Sequence, residues 1–156
     1  MTEYFRFLYP EYNPPGLSGA VGGGITSGEL PSSLNSLLVP AQVSGSSYYQ
    51  YRKLWIEQLS EDSFTSLGLQ FANSEYSNRV EFAYATGAYA TGVATNPLTI
   101  PENIVDGDFS SSIDGSLDLS SGEAGSQYAI WIRQAIVSGD QPDSMASVNI
   151  RITGAQ

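Results

Sequence analysis

Apolar residues in this chain recur at every second position, and no stretch sustains a helical period, so the chain reads as strands. TEYFRFLY (2–9) alternates Phe5, Phe7 and Tyr9 against Tyr4, Arg6 and Leu8. SLGLQF (66–71) sets Leu67, Leu69 and Phe71 on one face, and RVEFAY (79–84) sets Val80, Phe82 and Tyr84 opposite Arg79, Glu81 and Ala83. SVNIRIT (147–153) places Val148, Ile150 and Ile152 inward and Asn149, Arg151 and Thr153 outward. Two longer segments, 48–58 and 126–137, each carry one tryptophan in a Trp-Ile setting, Trp55 and Trp131. Short candidates at 36–39 and 116–119 bring the expectation to about eight strands.

Turn material separates these segments: NPPGLSG (13–19), VGGGITSGELPSS (21–33), ANSEYSN (72–78), TNPLTIPEN (95–103), IDGS (113–116) and SGDQPDS (138–144). Strands at this spacing with Gly and Pro punctuation predict an antiparallel sandwich or barrel. The expected architecture is all-β, a single antiparallel β-sandwich over residues 1–156, jelly-roll or immunoglobulin-like. Strand 126–137 is expected to be the longest and central. Residues 10–47 read as an extended, loop-rich arm over it. A tandem repeat, AYATGAYATG at 83–92, is too short for a solenoid and reads as a tyrosine strand running into a glycine-rich loop.

Composition narrows the function classes. At 156 residues the chain is one domain's worth, and its 14% charged residues are few for a soluble domain. Sixteen acidic against six basic residues give a net charge of −10, the wrong sign for nucleic acid or an anionic membrane. The cations, Arg6, Arg52, Lys53, Arg79, Arg133 and Arg151, all fall in segments read as strands, while most carboxylates fall in turns. The chain has no cysteine and no histidine, which removes thiol chemistry, the commonest general base and the commonest transition-metal ligand. MTEYFRFLYPEY lacks a secretory pattern, and no apolar run is long enough to span a bilayer, so synthesis and folding in a cytoplasm are expected.

No constellation points to catalysis. DGDFSSSIDGSLDLSSGE (106–123) gathers Asp106, Asp108, Asp114, Asp118 and Glu123, but the register of a calcium loop fails, since serines follow Asp108. Solvated turn aspartates are the simpler reading, with Asp106, Asp108 and Asp114 as weak calcium candidates. Nothing marks two of the carboxylates as a glycosidase pair, and the serines have neither a histidine nor a Ser-x-x-Lys to activate them. VGGGI matches neither a dinucleotide fingerprint nor a P-loop. The chain is therefore expected to be no enzyme and to need no cofactor. Tyr48, Tyr49, Tyr51, Tyr76, Tyr84 and Tyr89 would suit a sugar-binding face or a protein interface, against the simpler reading of core packing.

Laid out in order, several segments resemble a family of small β-sandwich virion structural proteins of tailed bacteriophages, decoration (cement) or tail-associated. The resemblance runs through EYFRFLY (3–9), GLSGAV (16–21) and LPSSLNSLLVPAQVSGSSYYQYRKLWIEQ (30–58) with its Tyr51-Arg52 dipeptide. It ends in LSSGEAGSQYAIWIRQAIVSGDQPDSMASVNIRITG (119–154), where a glycine precedes a Trp-Ile-Arg strand. EQLSEDSFTS departs from the family's asparagine-containing turn after the Tyr-Arg strand. The resemblance implies a multi-copy, homo-oligomeric subunit located in the virion, with other virion proteins as partners (major capsid protein, or tail or neck proteins), and brings no catalytic residues.

The function expected is a capsid decoration subunit that stabilises the assembled shell. The alternatives are a tail, neck or baseplate-associated structural protein and a carbohydrate- or receptor-binding module. Interface candidates are Tyr51, Arg52, Trp55, Trp131 and Arg133. In SQYAIWIRQAIVSG (126–139), Tyr128, Ile130, Ile132 and Ile136 share one face, and Ala129, Trp131, Arg133 and Ala135 the other. Both faces are large and apolar, so the second should also be covered, by the 10–47 arm or a neighbouring subunit.

Overall fold

The computed structural model describes residues 4–14, 18–30, 47–72, 80–110, 116–137 and 149–155. The chain is all-β, with strands β1 (Phe5–Tyr12), β2 (Val21–Glu29), β3 (Tyr48–Gln58), β4 (Phe64–Ala72), β5 (Val80–Ala85), β6 (Val93–Ala94), β7 (Ser116–Gly122), β8 (Gln127–Ile136) and β9 (Asn149–Ala155). They form two antiparallel sheets. The larger runs β5-β8-β3-β1-β2-β6 and the smaller β7-β4-β9. The expected strands 36–39 and the turns 73–78, 113–115 and 138–144 lie outside the described residues.

The spine of the larger sheet is the β3–β8 ladder, unbroken from Tyr48↔Ile136 to Glu57↔Gln127. β3, at 11 residues, is the longest strand, one more than β8, and β8 lies one strand in from the β5 edge. Alternation along both strands sends side chains to two apolar faces. On one face Leu54, Ile56, Val80, Phe82, Ile130 and Ile132 pack against Phe64, Leu67, Leu69 and Leu119 of the smaller sheet. Full burial of each such side chain contributes ~1.5–3 kcal/mol, which makes this shared core the main bond between the sheets.

The opposite face carries a second core of Tyr51, Trp55, Ala83, Ala85, Ala129 and Trp131. Its cover comes from the same chain: Leu8 of β1, Val21 of β2, Ala94 of β6, and Ile104 and Phe109 from the following loop. The larger sheet therefore curls into a half-barrel over its own second face. The curl is produced where β1 meets β2. Between Leu8↔Glu29 and Tyr12↔Gly22, β2 advances seven positions while β1 advances four, with register shifts on both sides of Pro10. Proline has no amide proton for a ladder, and extra residues on one strand bend it.

Three expectations are corrected here. The strand within 126–137 is neither the longest nor at the middle of its sheet, because β3 is one residue longer and β8 has only β5 beyond it. VGGGITSGE, read as turn material, is strand β2, because glycine is tolerated where a bent strand must approach another backbone closely. Within the segment 10–47 read as an arm, Pro10–Tyr12 complete β1 and residues 21–29 are a sheet strand, while 31–46 lie outside the described residues.

Gly22 is the tightest point of the curl. Its φ is +104°, and a Cβ there would lie 2.6 Å from Trp131 Cη2 and 2.7 Å from the Gly92 carbonyl oxygen. Gly22→Ala is expected to cost about 2–4 kcal/mol in urea unfolding, through strain and overpacking together. Gly24→Ala, where nothing lies within 4 Å, is the control and should change stability by less than about 1 kcal/mol.

Candidate functional site

The second face of the larger sheet holds a buried lysine. On β3, Tyr51, Lys53 and Trp55 point to the same side, and the ladder sets Lys53 directly across from Trp131. Lys53 is 0% exposed. Its ammonium lies 5.1 Å from the centre of the Trp55 ring and 5.3 Å from that of Trp131. It donates to the carbonyls of Gly23 (2.9 Å), Ala90 and Gly92 (3.3 Å). Three donors thus meet three acceptors between two aromatic faces. Among the described residues Lys53 has no carboxylate partner. Burial alone pushes its pKa down from 10.5 to about 8.

The acceptors come from the two odd motifs of the sequence. Gly23 belongs to VGGGI, and its carbonyl also receives Trp55 Nε1 at 3.3 Å. Ala90 and Gly92 belong to the second AYATG copy, which folds as the 3-10 turn Gly87–Thr91. The Gly92 carbonyl further accepts the Gly23 amide at 2.9 Å. Lys53 therefore fastens β2 and the turn after β5 to the centre of the sheet.

Two residues along, Arg133 of β8 pairs across the ladders with Tyr51 and Glu81. It forms an ion pair with Glu81 and donates to Asp106 Oδ1 at 2.7 Å. Its guanidinium is layered between Tyr49 (4.3 Å) and Phe109 (4.4 Å). Burial opposes its charge, but the hydrogen bond and charge of Glu81, with Asp106 beyond, hold the Arg133 pKa above its ordinary value. The Tyr51 amide donates to the Pro97 carbonyl at 2.7 Å, so the loop after β6 is tied down at both ends.

The five residues expected at an interface are all inside the chain. Tyr51, Trp55, Trp131 and Arg133 lie under the half-barrel lid, and Arg52, on the opposite parity, is buried and donates to the Pro14 carbonyl at 2.8 Å. The expectation that both faces of 126–137 are covered is met within one chain for Ala129 and Trp131, by β2, β6 and the 86–110 segment. These side chains build the surface from beneath and do not form it.

The aspartates weighed for calcium are engaged otherwise. Asp106 faces Arg133, and Asp108 Oδ2 accepts the Val105 amide at 2.9 Å, closing the 3-10 turn Asp106–Asp108. Asp114 lies outside the described residues. Among the described residues no group of three or more acidic side chains converges as a metal site. Of the tyrosines weighed for a binding face, Tyr49 and Tyr89 are exposed on the lid side, Tyr84 packs half-buried against the shared core, and Tyr76 lies outside the described residues. Lys53 was missed by sequence reasoning, and one signal marks it: a lysine on the same strand parity as Tyr51 and Trp55, in a segment apolar on both faces.

No family model, curated protein or solved structure matches this chain.

Lys53→Met keeps the stem but strands the Ala90 carbonyl and removes the charge from the rings. It should lower stability by about 1–3 kcal/mol in chemical denaturation at neutral pH, and Lys53→Ala, which adds a cavity, by about 3–5 kcal/mol. A pH dependence follows as well. With a folded pKa near 8 and an unfolded one near 10.5, the unfolded chain binds more protons between those values, so the Lys53 contribution to stability rises with pH across that window. Below pH 8 it is level. The stability of the native chain minus that of Lys53→Met should increase from pH 8 to 10.5, with a slope of at most about 1.4 kcal/mol per pH unit.

Proposed function

We propose that this chain is a non-enzymatic structural subunit of a multi-copy assembly, working as a β-sandwich whose larger sheet curls over its own second face. The assembly that the sequence resemblance points to is the particle of a tailed bacteriophage, with decoration of the capsid surface as the leading setting and a tail, neck or baseplate position as the alternative. One observation carries the reading. The side chains with the most chemistry, Lys53, Arg52, Arg133, Trp55 and Trp131, are spent on holding backbone segments in place inside the fold. A catalytic lysine with a lowered pKa must reach its substrate, and Lys53 is sealed by two rings and three carbonyls. What this arrangement offers is a stiff acidic body, suited to adhesion in many copies.

A second reading, a carbohydrate- or receptor-binding module, is favoured by one feature: Tyr49 is 40% exposed and its ring is backed by the fixed Arg133 guanidinium. Binding on a glycan array would support it, and flat curves at all sugars would remove it.

The leading reading is tested by quantitative mass spectrometry and imaging of purified particles. It expects tens to hundreds of copies, about the multiplicity of a shell lattice, placed on the capsid exterior. Recovery in single digits, or in the tail alone, would overturn the capsid setting, and absence from particles would overturn the structural reading altogether.

A further inference from the structure

The loop TNPLTIPENIVDGD (95–108) has two sides. Its inner side is anchored by buried Pro97, Pro101 and Ile104, and Phe109 follows directly. Its backbone is tied at several points: Tyr51 N to Pro97 O (2.7 Å), Ile104 N to Pro101 O (3.2 Å) and Asp108 N to Val105 O (3.0 Å). Asn96 Oδ1 accepts the Leu98 amide at 2.9 Å, and Asp106 is held by Arg133. Its outer side carries Leu98 at 46%, Ile100 at 36% and Val105 at 62% exposure.

Two exposed tyrosines border this loop. Tyr49 stacks on Arg133, the partner of Asp106. Tyr89 is on the 3-10 turn whose terminal Gly92 faces the Glu102 carbonyl. Large apolar side chains held out to water in one region, on a backbone already ordered, mark an interaction surface and lower its entropy cost. Scattered single exposures elsewhere, such as Tyr12 or Leu59, need no such account.

Charge decides what would sit there. Glu102, Asp106 and Asp108 are exposed among these apolar residues, and no lysine or arginine occurs between Arg79 and Arg133. A second copy would bring the same acids and a net charge of −10, so the loop repels itself. An anionic membrane and a nucleic acid are repelled for the same reason. We propose that the 95–108 loop, flanked by Tyr49 and Tyr89, is the docking face of this chain for a protein partner offering an apolar groove rimmed by lysine or arginine. The inference deepens the structural-subunit reading by naming the contact surface, and it rests on that reading only for the setting in which the partner is met.

Two arms of one experiment keep the two apart. In the first, the isotope-labelled chain is titrated with an amphipathic Leu/Lys peptide and, separately, with a Gly/Lys peptide of equal charge. Amide shifts should concentrate at 96–108, 49 and 89 with the amphipathic peptide only. The triple variant Leu98→Ser, Ile100→Ser, Val105→Ser should weaken that binding by about tenfold or more, as should Glu102→Lys, while Tyr12→Ser leaves it unchanged. Shifts spread over all acidic loops, or equal for both peptides, would overturn the docking face. Thermal melts show that each variant is folded, and all substituted side chains are exposed. In the second arm the chain is added back to particles stripped of it. Binding by the native chain and loss in both loop variants support the proposal, and equal binding by all overturns it. If even the native chain fails to bind, the structural reading falls, and the peptide arm alone decides the loop.

Discussion

The charge of Lys53 organises one whole side of this protein. An ammonium without a carboxylate is costly to bury, and the fold meets that cost with backbone carbonyls and aromatic faces. Because Gly23 and Ala90 lie 30 and 37 positions from Lys53 in sequence, a single side chain ties two distant segments to the centre of the sheet. Glycine at 22 and the turn at 87–91 are consequences, since the backbone has to come within hydrogen-bonding reach of Lys53 past the Trp131 ring.

The same arrangement sorts charge between inside and outside. Lys53, Arg52 and Arg133 are buried, and Arg6 is drawn into contact with Glu57 and Glu29. Glu57 in turn is held below the usual carboxylate range by its hydrogen bonds from Gln127 and Arg6. Among the described residues Arg151 alone is an exposed cation, so few positive charges stand beside the solvent-facing carboxylates there. Like charge of this kind opposes contact between acidic surfaces and favours one that supplies cations. The loop that shows apolar side chains amid acids is the place where such an association would bury the most.

Much of the strand set was legible from alternation. The bounds of β3 match the segment read as 48–58, and β4, β5, β7, β8 and β9 fall within a few residues of their expected positions. The faces of 126–137 divide as the pattern indicates, with Tyr128, Ile130 and Ile132 in one core and Ala129 and Trp131 in the other. β2 was not legible, because glycine-rich VGGGITSGE has the composition of a turn and becomes a strand only through pairing with β1 and β6. The AYATG repeat shows the limit most clearly. Its first copy ends a strand that packs Tyr84 against the core, while the second, identical in sequence, forms a 3-10 turn with Tyr89 half exposed.

The alternation of side chains, by itself, determined an antiparallel all-β chain with two apolar faces on its longest strands, and the absence of histidine and cysteine determined which chemistries it lacks. Period two follows from strand geometry and is local, which is why it can be read residue by residue. What covers the second face, and whether the cations near it meet water or carbonyls, were decided only by the tertiary structure. Both depend on which distant backbone arrives there. That choice follows from the curl at Pro10 and Gly22, and it turned Tyr51, Trp55, Trp131 and Arg133 from prospective contact residues into the internal frame, around Lys53, of the surface above them.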